Sequence, residues 1–264
     1  MILSPASLLL VASFGVLIAS EVVEVDFLFP RNETYAPAEW FPVVFAFPNA
    51  KPPQILKSSL SYRLWNTDNM TGLDPESFTY DLLWSNWSRH DTYFAYHIFH
   101  NKFATEGRWR VTWNFAWESC EGDEIRFEDY GRFIHNYSAW GTSFTIKNSA
   151  QKVDLTSATT TNRTCPGDQA VAINATGQTM TSHYDTSCGV VDSSNPAPMA
   201  DRCRVKVDST TVERMSADWK ERLCRNGRDT SIDCPKEENS AANRLVVIAR
   251  SCSLAALGAF GFIF

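Results

Sequence analysis

"GRWRVTWNFAWESC", residues 107–120, carries a bulky apolar side chain at every second position. Trp109, Val111, Trp113, Phe115 and Trp117 share one side, and Arg110, Thr112, Asn114 and Ala116 share the other. A period of two belongs to a β-strand, whose successive side chains point to opposite faces. Exposing all five large groups together would leave an unusually big apolar patch. The stretch therefore reads as a strand whose indoles cover a core, not as an open sugar-binding platform.

The same period extends towards the N-terminus. "VVEVDFLF" sets Val23, Val25, Phe27 and Phe29 against Glu24, Asp26 and Leu28; "FPVVFAFPNA" offers Val43, Phe45 and Phe47. "SLSYRLW" offers Leu60, Tyr62 and Leu64, "DTYFAYHIF" alternates Phe94, Tyr96 and Ile98 with Ala95, His97 and Phe99, and "TSFTIK" supplies Phe144 and Ile146. Pro30, Pro42, Pro48, Pro52 and Pro53 stand at the boundaries of these runs, where a strand tolerates them. Short period-two runs divided by turn residues predict an all-β class, an immunoglobulin-like antiparallel β-sandwich over residues 21–148.

Beyond Asn148 the texture changes. "TSATTTNRTCPGDQAVAINATGQTMTSHYDTSC" is rich in small polar residues with interleaved cysteines, which predicts a stapled, loop-rich extension over 149–236, packed on the sandwich. Within it "CRVKVD" reads as a short strand with Val205 and Val207 on one face. "STTVERMSADWKERLCRNG" reads as a short helix, with Thr210 and Glu213 as a capping box and Val212, Met215, Trp219 and Leu223 at helical spacing. Cys120, Cys165, Cys188, Cys203, Cys224 and Cys234 make an even set of six, the arithmetic of three disulfides whose pairing sequence alone leaves open. Cys224 and Cys234 are near enough to close locally.

The two ends point to the secretory route. Residues 1–20 have an apolar run from Leu8 to Ile18 of signal-peptide length, with cleavage expected after Ser20 or Ala19. Residues 237–264 combine small residues, a spacer and a short apolar tail, the pattern of a glycosylphosphatidylinositol signal with Asn239 or Ser240 as attachment point. The alternative is a single C-terminal membrane helix. Cys252 lies in the segment that the first reading discards. N-x-S/T sequons at Asn32, Asn69, Asn86, Asn136, Asn162 and Asn174 fit a glycosylated exterior protein. With 30 acidic against 24 basic residues, a net charge of −6 and no basic run, the chain lacks the footprint of a nucleic-acid binder.

No catalytic, cofactor or metal constellation is spelled out. Glu118 and Glu121 are the carboxylates to test in a glycosidase, but the crowded "ESCEGDEIRFED" reads more readily as a solvated loop. His97 and His100 are three apart, on opposite faces of a regular strand, so they cannot share a metal. No serine occupies a G-x-S-x-G elbow. The aromatic residues outside clean alternation, Trp84, Trp87 and Trp140, are the candidate carbohydrate contacts.

"VEVDFLFPRNETYAP", "FPVVFAFPNA", "GRWRVTWNFAWESC" and "CRVKVD" together resemble a family of secreted and surface proteins of filamentous ascomycete fungi, domain of unknown function 7136. The resemblance spans most of residues 21–235, with the first block the most specific. It implies a fungal cell-surface location and carries no catalytic residue over. The expected function is a non-enzymatic, glycosylated structural or adhesive ectodomain. The alternatives are a carbohydrate-binding module for wall polysaccharide and a wall-remodelling glycoside hydrolase. The expected partners are wall polysaccharide or surface proteins, with the membrane reached through the lipid anchor or the apolar tail.

Overall fold

The computed structural model describes residues 21–48, 56–69, 75–85, 87, 92–120, 133–160, 170–181, 187–192, 199–200, 204–226 and 234. The strands are β1 (Glu21–Phe29), β2 (Thr34–Tyr35), β3 (Ala38–Pro48), β4 (Ser59–Asn66), β5 (Glu76–Asp81), β6 (Thr92–Phe103), β7 (Gly107–Cys120), β8 (Phe133–Ile146), β9 (Ala170–Thr181) and β10 (Ser187–Val191). Among the described residues α1 (Leu155–Ala158) lies between β8 and β9, and α2 (Ser209–Asn226) follows β10. The expected signal segment, the anchor segment and the sequons at Asn86 and Asn162 lie outside the described residues, as do Cys165, Cys203 and Glu121.

The class is all-β. Sheet A runs β6-β3-β1-β9-β10, and sheet B runs β5-β4-β7-β8 with the short β2 beside β8. Most ladders are antiparallel; the β2–β8 pair and the single β10–β7 bridge, Val190 to Cys120, are parallel. That bridge joins the two sheets at one end, and the Cys120–Cys188 disulfide reinforces it with a Cα–Cα distance of 5.9 Å.

Side chains at alternate positions of the two sheets meet in an aromatic core. Phe45 and Phe27 of sheet A lie 5.6 and 6.2 Å from Trp113 of sheet B. Phe41 stacks on Phe144 at 5.3 Å, and Phe45 reaches Tyr62 at 5.7 Å. Trp113 is 1% exposed, and Val111 and Phe115 are fully buried beside it. Each such side chain contributes on the order of 1.5–3 kcal/mol by leaving water. The β7 alternation thus does what its sequence predicts: Trp109, Val111, Trp113 and Phe115 point inwards, and Arg110, Thr112 and Asn114 outwards.

Three features depart from the sequence reading. Residues 170–191, read as loop-rich, supply β9 and β10 inside sheet A, with β9 paired to β1 from Glu21–Ala175 to Asp26–Ala170. "AVAINATGQTMT" is small and polar enough to resemble a linker, and its strand character comes from completing the sheet beside β1.

The second departure concerns residues 204–208, which form no ladder although Val205 and Val207 are buried on one side as expected. They and α1 cover the outer face of β1. Glu24 and Asp26 there are 5% and 3% exposed, not solvated. Arg204 Nη2 donates to Glu24 Oε2 at 3.0 Å, and the Val207 amide donates to the buried Thr159 hydroxyl at 2.9 Å.

Third, α2 is capped by Asp208, whose Oδ1 accepts from the Thr211 amide at 2.7 Å, in place of the Thr210–Glu213 box. α2 lies across the boundary between the compact units 1–213 and 214–264. Cys224 and Cys234 close locally within the second unit, with a Cα–Cα distance of 5.5 Å.

Candidate functional site

Of the three tryptophans proposed from sequence, Trp87 and Trp140 sit in two separate aromatic clusters. Trp87 is half-buried: its indole N–H donates to the Leu82 carbonyl at 2.9 Å, and its ring meets Phe47 edge-on at 5.4 Å and Tyr93 at 4.6 Å. Trp140 belongs to another cluster, stacked at 4.8 Å on the core residue Trp113, its cross-strand partner. The Trp84 backbone ends a single 3-10 turn, Leu82–Trp84, capped by Asp81; its side chain lies outside the described residues. Trp87 and Trp140 therefore act first as packing groups at separate places, each leaving part of one ring to solvent.

A more coherent surface is the outer face of sheet B. The registers β5–β4–β7–β8 line up Thr79, Ser61, Asn114 and Ala139 in one row and Ser77, Arg63, Thr112 and Gly141 in the next. Trp65, Arg110 and Ser143 follow. Apart from Trp65, these side chains are small or polar, so the face is flat. Trp65 is half-exposed and donates its indole N–H to Thr112 Oγ1 at 3.2 Å, which fixes the ring over the sheet. Arg110 lies across Gly141: a Cβ at that glycine would stand 3.0 Å from Nη2 and 3.2 Å from Nε. A glycine inside a strand commonly marks such a close approach, and here it lets the guanidinium rest against the sheet. Asn114 Oδ1 is buried beneath this face with no hydrogen-bond partner among the described residues, and Tyr137 on the same face is 72% exposed.

Sequence reasoning missed Trp65 because it followed Leu60, Tyr62 and Leu64. The signal was present: Trp65 is out of phase with those three and shares its face with Ser61 and Arg63. Gly141, in the middle of a long apolar-alternating strand, was a second signal.

The family profile of DUF7136, a domain of unknown function, matches residues 18–234. The chain belongs to the DUF7136 family. No curated protein and no solved structure matches it.

Among the described residues of this DUF7136 chain, Glu118 is paired. Glu118 Oε2 pairs with Lys57 at 3.2 Å, and its Oε1 lies 3.5 Å from His135 Nδ1. Both ties are those of a surface ion-pair cluster. His97 faces the edge between the sheets, 4.4 Å from both Phe78 and Phe99, and burial pushes its pKa down to about 4 against a weaker upward pull from Glu76. His100 points to the other face and stacks on Trp40 at 4.4 Å. Among the described residues no group of three or more His, Cys, Asp or Glu side chains could hold a metal, and no helix is long and apolar enough to cross a membrane.

Proposed function

We propose that this DUF7136 protein is a non-enzymatic, glycosylated ectodomain with an immunoglobulin-like sandwich, secreted to the fungal cell surface and held there by a C-terminal lipid anchor, whose work is adhesive contact through the outer face of sheet B. The observation that carries this reading is the juxtaposition on one polar face of Trp65, hydrogen-bonded over Thr112, and Arg110, whose guanidinium lies against Gly141. Holding a ring in place before a partner arrives lowers the ordering cost of contact. The disulfide between β7 and β10 suits an oxidising compartment.

The ligand class this face suits best is a neutral polysaccharide. An indole supplies a flat apolar platform for the C–H face of a sugar ring, and Arg110, Arg63 and Asn114 supply hydrogen bonds to hydroxyls. The test is retention of the secreted protein on insoluble β-glucan, chitin and mannan, with Trp65→Ala and Arg110→Ala beside Trp87→Ala. Saturable retention lost in the first two variants and kept in the third supports the outer face. Retention lost only in Trp87→Ala moves the site to the Phe47–Tyr93 cluster. No retention on any polymer removes the polysaccharide and leaves a protein-facing adhesive surface.

A further inference from the structure

The fold separates the sequons into two kinds. Asn32 is exposed in the bend between β1 and β2, and the hydroxyl residue of its sequon, Thr34, is exposed on β2. Asn69 is exposed in the turn that leaves β4, just beyond the Asx turn in which Asn66 Oδ1 accepts from the Asp68 amide. Asn136 and Asn174 lie instead within strands of the sandwich, and at both the nitrogen that would receive a sugar is already engaged. Asn136 stands opposite Trp117 in the β7–β8 register, on the inward side of sheet B, and its Nδ2 donates to Ser119 Oγ at 2.9 Å. Ser119 is 5% exposed. Asn174 pairs with Val22 of β1, and its Nδ2 donates to Asp192 Oδ2 at 3.2 Å. The Asp192 amide donates back to the Asn174 carbonyl at 2.8 Å. Thr176, the hydroxyl residue of that sequon, donates to the Val190 carbonyl at 3.1 Å.

We infer that Asn32 and Asn69 carry N-linked glycans in the folded protein, while Asn136 and Asn174 remain unmodified. The inference rests on the secretory reading above. The modification joins the amide nitrogen to the anomeric carbon of a lipid-pyrophosphate-linked oligosaccharide. The C1–N bond forms as the C1–O bond to pyrophosphate breaks, the lipid pyrophosphate leaves, and the amide loses one proton. The product amide keeps a single N–H and carries a sugar ring in place of the other. Asn32 and Asn69 are exposed positions outside the strands. At Asn136 the sugar ring must be fitted beside Trp117 and the buried Ser119, on the face that closes the core. At Asn174 it must be fitted where Asp192 ties β10 to β9. A chain modified early at either strand position must close those contacts around a sugar ring, so folded molecules are drawn from the chains left bare there.

The experiment is expression of the full chain in a eukaryotic secretory host, recovery of the folded protein, and amidase release of glycans in ¹⁸O-water with peptide mass spectrometry at each sequon. Label at Asn32 and Asn69 with none at Asn136 and Asn174 is the expected result. Label at Asn136 or Asn174 in folded protein overturns the inference and leaves the secretory reading intact, as does a bare Asn32 or Asn69 beside labelled sequons elsewhere. Absence of label at every sequon, with residues 1–20 still attached, overturns both. A parallel series separates acceptors from structural amides. Asn32→Gln should raise gel mobility by one glycan without moving the thermal midpoint. Asn136→Gln should lower the midpoint without changing mobility; the opposite pattern in either variant overturns the assignment.

Discussion

Replacing Trp113 by alanine and by phenylalanine should give unequal losses, and the inequality follows from one unusual feature of the core. The indole is 1% exposed and bounded by Phe27, Phe45 and the stacked Trp140, yet its N–H finds no hydrogen-bond partner among the described residues. Trp113→Ala removes the whole platform between the sheets and should cost about 3–5 kcal/mol. Trp113→Phe keeps a six-membered ring in the same place. It opens a void of roughly 40 Å³, which at about 24 cal/mol per Å³ costs about 1 kcal/mol. The lost apolar contact adds on the order of another 1 kcal/mol. Against this, the change removes a buried unpaired donor, whose burial costs about 1–3 kcal/mol. The net change for phenylalanine should therefore fall within about 1 kcal/mol of zero. Urea unfolding followed by far-ultraviolet circular dichroism reads both as shifts of midpoint at constant slope. Equal destabilisation by the two variants would refute the reasoning, since it would mean that the indole N–H contributes to holding the core.

Other groups make comparably sharp tests. His97 is held neutral by burial, with its pKa lowered to about 4 from 6.5. The unfolded chain therefore binds the extra proton first, and stability present above pH 6.5 is lost as pH falls towards 4, by at most about 3 kcal/mol. Thermal midpoints across that window should fall more steeply for the native protein than for His97→Gln, and parallel curves would count against it. Gly141→Ala is crowded chiefly by the far end of the Arg110 side chain and otherwise makes ordinary contact with the Thr112 methyl, so it should change stability by less than about 1 kcal/mol while reducing polysaccharide retention as Arg110→Ala does. A core-sized loss of stability would show that Arg110 cannot give way. Removing both Cys120 and Cys188 by serine frees a 68-residue loop in the unfolded chain and should cost about 4 kcal/mol. A denaturant midpoint that hardly moves would mean that β10 is held by its ladder alone.

The all-β class and the central strand are legible in the sequence alone. In 107–120 the period of two assigns Trp109, Trp113 and Phe115 to the core without reference to any other part of the chain, because side-chain direction in a strand is a local property. The same holds for Leu60, Tyr62 and Leu64 and for the helix over 209–226. Local chemistry also made a Cys224–Cys234 closure readable as one option. What alternation leaves open is which face a distant segment covers and which strands become neighbours. Glu24 and Asp26 stand opposite the apolar face of β1, and nothing nearby in sequence shows that they are buried or that Arg204 returns to pair with Glu24. The small, polar 170–181 becomes a strand only because β1 offers it a ladder.

The candidate face was half legible for the same reason. Arg110, Thr112 and Asn114 could be placed outside from their own period, whereas setting Trp65 beside Thr112 and Gly141 beneath Arg110 required the β4–β7–β8 register. Equally, a tripeptide sequon gives a chemical possibility at an asparagine, and only the tertiary structure brings Ser119 to the Asn136 nitrogen and Asp192 to that of Asn174. Period and composition fix what each residue offers; long-range pairing, set by the burial of both sheets against each other, fixes which of those offers face water.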